Sequence, residues 1–175
     1  GELRLLEVAV ALAAKPTLLM LDEPAAGLNS QEAMRFGGIL KDLRREQVPS
    51  IVIVEHNMSL VMDVSDRVMV MYLGKVAEVG DSEALYRAPA HPYTRALMSA
   101  MPSLEPGRRT QTAPLAGDPP NPIDLPPGCR FEPRCAHAIA PCRQAVGIEQ
   151  TGERLIRCHR WQDLSQGTPM PAGAL

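Results

Sequence analysis

The sequence has few aromatic residues, no long apolar run and no excess of either charge. Aromatic residues make up 3% of the 175 positions, so a core within the 45% hydrophobic fraction must consist mainly of Leu, Val, Ile, Met and Ala. No stretch approaches the roughly 18 apolar residues that a membrane-spanning helix needs. The net charge is −2, which gives no electrostatic reason to expect nucleic acid or an anionic membrane surface as the main partner.

A secretory signal and a phosphate-binding loop are also missing from these residues. Glu2, Arg4 and Glu7 interrupt the N-terminus and no small-residue cleavage site follows, so we expect a cytoplasmic chain. No Gly-x-x-x-x-Gly-Lys-Ser/Thr motif occurs. The Gly74-Lys75 pair lies between two apolar runs and predicts a hairpin turn instead. Because Gly1 stands inside a helix-like pattern, we expect the chain to be a fragment.

The periodicity of apolar residues predicts an α/β fold over the first hundred residues. Glu2–Ala14 is apolar on most faces and Leu18–Leu21 is a short apolar run, so both are expected to be buried. The order of strand, helix and strand predicts a parallel βαβ unit. The predicted strands are Leu18–Leu21, Ser50–Val54, Val68–Tyr72 and Lys75–Val79. The predicted helices are Glu2–Ala14, Ser30–Gln47, Met58–Val64, Asp81–Arg87 and Pro92–Ala100.

The composition changes after residue 101 and predicts four segments. Residues 1–101 carry the regular elements, and Pro102–Pro127 contains eight Pro in 26 residues, which is typical of a semi-rigid linker. All four Cys and the single Trp fall within residues 128–161. Residues 162–175 are expected to be a loose tail.

Two adjacent carboxylates, Asp22 and Glu23, follow the first predicted strand. In an open α/β sheet, ligands bind beyond the carboxyl ends of the strands. An Asp at that place can hold Mg²⁺, usually through water, and the adjacent Glu can orient or deprotonate an attacking water molecule. The alternative is a strand that ends in a solvated acidic turn, and the residues that follow favour the site.

Leu18–Pro24 resembles the Walker B motif of ABC-type ATPases, and His56, just past the second strand, resembles their H-loop switch His. The resemblance implies that Asp22 binds Mg²⁺, that Glu23 is the catalytic base and that His56 contacts the γ-phosphate. An imidazole at that position can donate a hydrogen bond to a phosphate oxygen.

Two further segments resemble motifs of the same family. One resembles the D-loop, which crosses the nucleotide-sandwiched dimer interface, and its residues here are Ala26, Gly27, Leu28 and Asn29. Many relatives have Asp in place of Asn29, and this variant is similar to that of branched-chain amino-acid importer ATPases. Gly1 and Glu2 resemble the end of the ABC signature, where a helix N-terminus binds nucleotide held by the opposite subunit. Val10 replaces an Arg that is common in the family.

The resemblance implies a fold and a set of cofactors. It covers Gly1 to about Pro102 and implies the C-terminal part of an ABC ATPase, P-loop NTPase-like with a mainly parallel sheet and helices, followed by a small Cys-rich extension. ATP and Mg²⁺ are the implied cofactors. Because no backbone amides and Lys of a phosphate-binding loop are present, we expect these 175 residues alone to bind ATP poorly and not to hydrolyse it.

Four Cys follow the Pro-rich segment, at Cys129, Cys135, Cys142 and Cys158. Four thiolates suit an iron–sulfur cluster or Zn²⁺. The spacing lacks the tight Cys-x-x-Cys pairs of many zinc ribbons, which favours iron–sulfur; Zn²⁺ and Cys without metal remain alternatives. We expect His137 and His159 to be neighbours of the site and not ligands.

The residues His91–Leu97 closely resemble the His-Pro-Tyr-Thr-Arg hallmark of oligopeptide and dipeptide importer ATPases. Their C-terminal extension has Cys-x-Phe-x-x-Arg-Cys, a third Cys and a final Cys-His, as here at Cys129–Cys135, Cys142 and Cys158-His159. Some members bind a four-iron–four-sulfur (4Fe-4S) cluster through these Cys, so the resemblance implies one here.

Together the motifs predict the ATP-hydrolysing motor subunit of an ABC importer, with peptide uptake favoured over branched-chain amino-acid or nickel uptake. The resemblance implies a second ATPase subunit in a homo- or heterodimer, membrane permease subunits and, indirectly, a substrate-binding protein, with no nucleic acid. It places the protein on the inner face of the cell membrane. The alternatives are a regulatory, cluster- or metal-binding fragment without catalysis, and a soluble ABC-type ATPase, against which the Cys residues and the absence of basic excess argue.

Overall fold

The polypeptide of the first unit alternates helices and strands. In a computed structural model that describes residues 2–101, 120–121 and 123–165, the chain forms two compact units, Gly1–Ser65 and Asp66–Leu175. The first unit contains α1 (Glu2–Ala13), β1 (Leu18–Asp22), α2 (Ser30–Glu46), β2 (Ser50–Val54) and α3 (Met58–Val64). β1 pairs in parallel with β2, from Leu18 opposite Ser50 to Asp22 opposite Val54. The predicted parallel βαβ unit is therefore confirmed.

One face of this two-stranded sheet forms the core of the first unit. Apolar side chains from α1, β1 and α2 pack there, with Val48 beside them: Val8, Leu19, Phe36, Leu40, Leu43 and Val48. The opposite face is open, with Met20 70% and Val54 60% exposed. The prediction that β1 is buried on both faces is wrong, as is the prediction that α1 is a buried helix. In the described part of the chain, only one row of α1 side chains meets the core, and Val10 on another face is 67% exposed.

α2 runs without a break through Gly37 and Gly38. Gly37 lies at the point where α3 packs against α2. A Cβ at Gly37 would come within 2.9 Å of Leu60 Cδ1 and 3.1 Å of Val64 Cγ1. Lys41 Nζ donates to Asp63 Oδ1 at 2.7 Å across the same pair of helices. The missing side chain therefore permits the close approach of α3, which follows directly after the segment that contains His56.

The second unit is built on a four-stranded antiparallel sheet in the order β3-β4-β6-β5. Its elements are β3 (Arg67–Tyr72), β4 (Lys75–Asp81), α4 (Ser82–Arg87), α5 (Pro92–Ser99), β5 (Glu149–Thr151), β6 (Arg154–Ile156) and α6 (Trp161–Ser165). Leu73 and Gly74 have φ of 47° and 77°, as a two-residue turn matching the twist of its strands requires. The predicted hairpin is confirmed. The mixed α/β class is also confirmed, but the prediction of a mainly parallel sheet is wrong for the described residues, because this hairpin forces antiparallel pairing.

β6 lies beyond the Pro-rich segment in sequence and pairs with β4. Ile156 stands opposite Glu78 and Leu155 opposite Val79. The sheet thus joins residues from both sides of Pro102–Pro127, most of which lies outside the described residues, and the division into domains stays a prediction. α6 enters the predicted tail, and its Leu164 is buried. Within the described residues, no helix has the length and apolar character needed to cross a membrane.

Candidate functional site

The two predicted acidic residues lie where β1 ends beside β2. Asp22 is the last residue of β1, and the Glu23 N–H donates to Val54 O at 2.8 Å, which continues the parallel pairing by one step. His56 lies two residues past the end of β2, so the carboxyl ends of both strands bring these residues together. His56 Nδ1 lies 3.6 Å from Glu23 Oε1. Both side chains are more than half exposed, so the pair is open to solvent and to a ligand.

The backbone at Glu23 is held in an uncommon conformation. Its φ of 43° is in the left-handed region, which costs a residue with a Cβ roughly 1–2 kcal/mol. Two hydrogen bonds hold it there, from Glu23 N–H to Val54 O and from Ala26 N–H to Glu23 O at 3.0 Å. This turn sends the Glu23 side chain toward His56 and starts the loop that leads to α2.

The predicted D-loop residues Ala26 and Leu28 lie in this tight turn, and Gly27 takes a φ of 79°. Asn29 begins α2 through a reciprocal pair of bonds with Glu32. The Asn29 Oδ1 accepts from Glu32 N–H at 3.0 Å, and Asn29 N–H donates to Glu32 Oε2 at 2.9 Å. This capping box fixes the loop's end relative to the helix. Its interface role stays a prediction.

The signature residues remain predictions as well. Gly1 lies outside the described residues, and for Glu2 the structure describes only its backbone, at the start of α1.

Glu55, which lies between β2 and His56, was not predicted as a site residue from the sequence. Its carboxylate accepts three backbone N–H groups: one from Ala25 at 2.7 Å on Oε1, and those of His56 and Asn57 at 3.0 and 3.2 Å on Oε2. An acidic residue directly before the candidate His was the available signal.

The four predicted Cys of the second unit line one cavity of about 10 Å³, together with His137 and His159. Cys135 directly follows the 3₁₀ turn Glu132–Arg134, and Cys142 lies within the 3₁₀ turn Ala140–Arg143. The Cys129 N–H donates to Cys142 O at 2.8 Å. The Cys158 residue follows β6, and its Sγ accepts from Arg160 N–H at 3.4 Å. Gly128 allows the close approach, because a Cβ there would stand 2.2 Å from Cys142 O.

Burial governs the protonation of these thiols. Desolvation raises the pKa of Cys129 and Cys135, and raises the pKa of Cys158 to about 11; neighbouring thiols add to the effect and backbone hydrogen bonds oppose it. At neutral pH these three thiols therefore carry protons that a metal must displace. Four convergent thiols suit a soft metal centre, but no three His, Cys, Asp or Glu side chains of the described residues are arranged as a metal-ion site. The donor chemistry fits such a centre, and binding would require the thiols to adjust.

An aromatic cluster adjoins the cavity. The ring of Phe131, which lines the cavity, lies 5.4 Å from Tyr72, 5.3 Å from Tyr93 and 6.1 Å from His91. Through this cluster, the predicted His-Pro-Tyr hallmark and the Cys segment form one packed site.

Similarity to known proteins was found at the level of a family, of curated sequences and of solved structures. The family "Oligopeptide/dipeptide transporter, C-terminal region" matches residues 77–142. A probable peptide ABC transporter ATP-binding protein of Sinorhizobium fredii is 36% identical over 91% of this chain and 46% of its own length. The dipeptide transport ATP-binding protein of Escherichia coli is 35% identical over 90% of this chain and 48% of its own length. Among solved structures, MJ1267, an ATP-binding cassette of an ABC transporter, is similar with a TM-score of 0.49 and 24% identity, over 55% of this chain and 38% of that one.

The chain is similar to ATP-binding proteins of ABC transporters of the peptide and dipeptide importer type, which confirms the resemblance seen in the sequence. It spans about half the length of the curated relatives it matches.

Proposed function

We propose that this chain supplies the Mg²⁺-binding and water-activating part of an ATP-hydrolysing subunit that drives peptide import. The observation that carries the proposal is the 3.6 Å approach of His56 Nδ1 to Glu23 Oε1 at the carboxyl ends of two parallel strands. Asp22, one residue before Glu23, provides an oxygen ligand for hydrated Mg²⁺ at the same edge.

In this proposal the three side chains divide the chemistry. Glu23 orients the attacking water and accepts its proton, and His56 donates to the γ-phosphate. Asp22 would hold hydrated Mg²⁺, which would neutralise charge on the phosphates of ATP. The exposure of Glu23 and His56 leaves both accessible to nucleotide.

We further propose the assembly that peptide import requires. A second ATPase subunit closes on ATP, permease subunits hold the pair at the inner face of the membrane, and a substrate-binding protein delivers the peptide. The relatives' names support peptides as the solute class, since they include a probable peptide transporter protein and a dipeptide transport protein.

The test is ATP hydrolysis by the complex that co-purifies with this chain from its native membranes. Glu23→Gln should lower kcat by about a hundredfold or more, because it removes the proton acceptor, and should leave ATP binding in place. Glu46→Gln, at the end of α2, removes an equal charge and should leave turnover unchanged. Full turnover by the Glu23→Gln complex, or purification without permease subunits, would contradict the proposal.

The 175 residues alone are proposed to be inactive, because their sequence contains no phosphate-binding loop. Phosphate release by the purified chain should equal that of its Glu23→Gln variant. Robust turnover that depends on Glu23 would refute this.

A second proposal concerns the Cys cavity, and its support is the convergence of Cys129, Cys135, Cys142 and Cys158 on one space. We propose that these thiolates hold a four-iron–four-sulfur cluster, which would supply either redox capacity or a structural link. Anaerobic purification should give a coloured protein with about four iron and four labile sulfides per chain. A colourless protein with stoichiometric Zn²⁺, or with no metal, would refute the cluster.

A further inference from the structure

Glu55 binds the two loops that carry the candidate catalytic pair. Its Oε1 accepts from Ala25 N–H, two residues after Glu23, and its Oε2 accepts from the N–H of His56 itself. The third bond, from Asn57 N–H, anchors the residue whose side chain caps α3. A single carboxylate therefore joins the segment after β1 to the segment after β2.

The position of these bonds matters because the Glu23 backbone is strained. Its N–H is tied to Val54 O, and the bond from Ala25 to Glu55 lies on its other side. With φ at 43°, Glu23 would relax toward a common conformation if one anchor were lost. Hydrogen bonds to a charged acceptor are the stronger kind, so the Glu55 carboxylate is suited to oppose that relaxation.

We propose that Glu55 is a positioning residue that holds Glu23 and His56 at their working separation. It acts through the backbone and does not touch the reacting atoms. The inference rests on the proposed function for its catalytic meaning, but its geometry is testable without ATP.

Glu55→Gln is the sharpest variant, because it keeps the side chain's size while changing one acceptor oxygen into an NH₂ group. The single oxygen of Gln can accept either from Ala25 N–H or from the N–H groups of His56 and Asn57. The Gln NH₂ group cannot accept, so the remaining N–H loses its hydrogen bond. In the 175-residue chain, amide exchange at Ala25, His56 or Asn57 should rise about tenfold or more. Exchange at Leu40 and Leu43 in α2 should not change.

A second measurement reports the coupling between Glu23 and His56. The ¹⁵N shift of the His56 ring should change on Glu23→Gln, since the two groups lie 3.6 Å apart. In the Glu55→Gln background this response should fall by at least about half, as expected when one anchoring bond is lost. Glu46→Gln serves as the charge-matched control and should leave both measurements at their wild-type values.

The proposal is overturned if exchange is unaltered, if it rises uniformly through the first unit, or if the His56 response to Glu23→Gln is the same with and without Glu55. Failure of ATP hydrolysis in the native complex would sink the proposed function and leave these two readouts unaffected.

Discussion

His91 is a buried imidazole with a defined protonation state. Its Nδ1 accepts from Tyr93 N–H at 3.0 Å, which requires the neutral ring, and the backbone N–H of His91 donates to Glu78 Oε2 at 2.9 Å. Burial lowers the pKa of His91 from 6.5 to about 4. The Glu78 carboxylate accepts from its backbone. The cavity that it lines also contains four Cys, Glu132, His137, His159 and Arg160.

This residue predicts acid sensitivity of the second unit. Because the folded state resists protonation of His91 and the unfolded chain takes a proton near its ordinary pKa, stability is full above about pH 6.5. It should fall by up to about 3 kcal/mol as the pH drops toward 4, and show no further loss from this group below that. Urea unfolding followed by Trp161 fluorescence at several pH values measures the loss.

His91→Asn is the matched variant for this effect. Asn retains an oxygen that can cap α5 but carries no titrating ring. Its stability should vary less between pH 6.5 and 4 than that of the wild type. An equal pH dependence in the two proteins would show that His91 is not the source.

Gly128 and Gly147 form a second comparison of single residues. A methyl group at Gly128 would collide with the Cys142 carbonyl, whereas nothing lies within 4 Å of a Cβ at Gly147. Gly128→Ala should destabilise the second unit by about 3 kcal/mol and speed alkylation of the cavity Cys. Gly147→Ala should change neither. Thermal unfolding and timed alkylation measure both, and equal effects would contradict the packing described around Cys142.

At the scale of elements, the contact between α2 and α3 depends on one glycine of an adjacent pair. Gly37→Ala places its Cβ against Leu60 and Val64, an overpacking that costs about 1–3 kcal/mol. Gly38→Ala has open space and should stabilise the helix by about 0.5–1 kcal/mol. Denaturant unfolding of the two variants should therefore move in opposite directions. A stabilised Gly37→Ala protein would refute the close contact.

The elements of the first hundred residues were predictable from the sequence because each has a local signal. β2 and α3 have the predicted bounds, and the other seven differ by only one or two residues at an end. β5 and β6 were missed, since each has three residues and too short a pattern to show periodicity. Their formation depends on pairing with β4, which is a long-range contact that the local sequence does not encode.

The candidate site was predictable in part for the same reason. Asp22, Glu23 and His56 could be found because each lies at or just past the end of an apolar strand, and parallel pairing brings strand ends together. The role of Glu55 could not be found, because it depends on a bond to Ala25, 30 positions earlier in the chain. The burial of α1 and of β1 was predicted wrongly, because an apolar sequence shows which surfaces can be buried but not which elements pack against them.

At the scale of the whole molecule, a buried ion pair joins the two sides of the Pro-rich segment. Glu78 on β4 is fully buried, and Arg154 on β6 brings its Nε to 3.4 Å from Glu78 Oε1. The same guanidinium donates to the carbonyls of Ala84 and Ala88, at 3.0 and 2.7 Å. Removing one partner of a buried pair costs about 3–5 kcal/mol, since the other charge is left alone.

This arrangement predicts that the second unit survives a break in the chain. If an engineered protease site is cut between residues 102 and 119, the two pieces should remain together through the β4–β6 pairing and the Arg154 bonds. Size-exclusion chromatography after cleavage measures their association. Separate elution of the pieces of the otherwise unaltered chain would contradict the sheet order.

Two arginine variants calibrate that result. Arg154→Met should weaken the association of the cut pieces by at least about tenfold, because it strands the Glu78 charge. Arg143→Met should have little effect, because its pair with Glu132 is exposed on the Arg side. Equal weakening by both would show that the buried pair does not hold the pieces together.

The pairing of β4 with β6 also limits where two related proteins can be joined to make a chimera. A chimera joined within the Pro-rich segment would receive β6 from one parent protein and β4 from the other. The two partners of the ion pair, Arg154 and Glu78, would then come from different parent proteins. A junction between Ser65 and Asp66 cuts no strand pair of the described residues. A chimera that keeps the sheet intact must therefore take the Cys segment and the β3–β4 hairpin from the same parent, although residues 82–127 separate them in sequence.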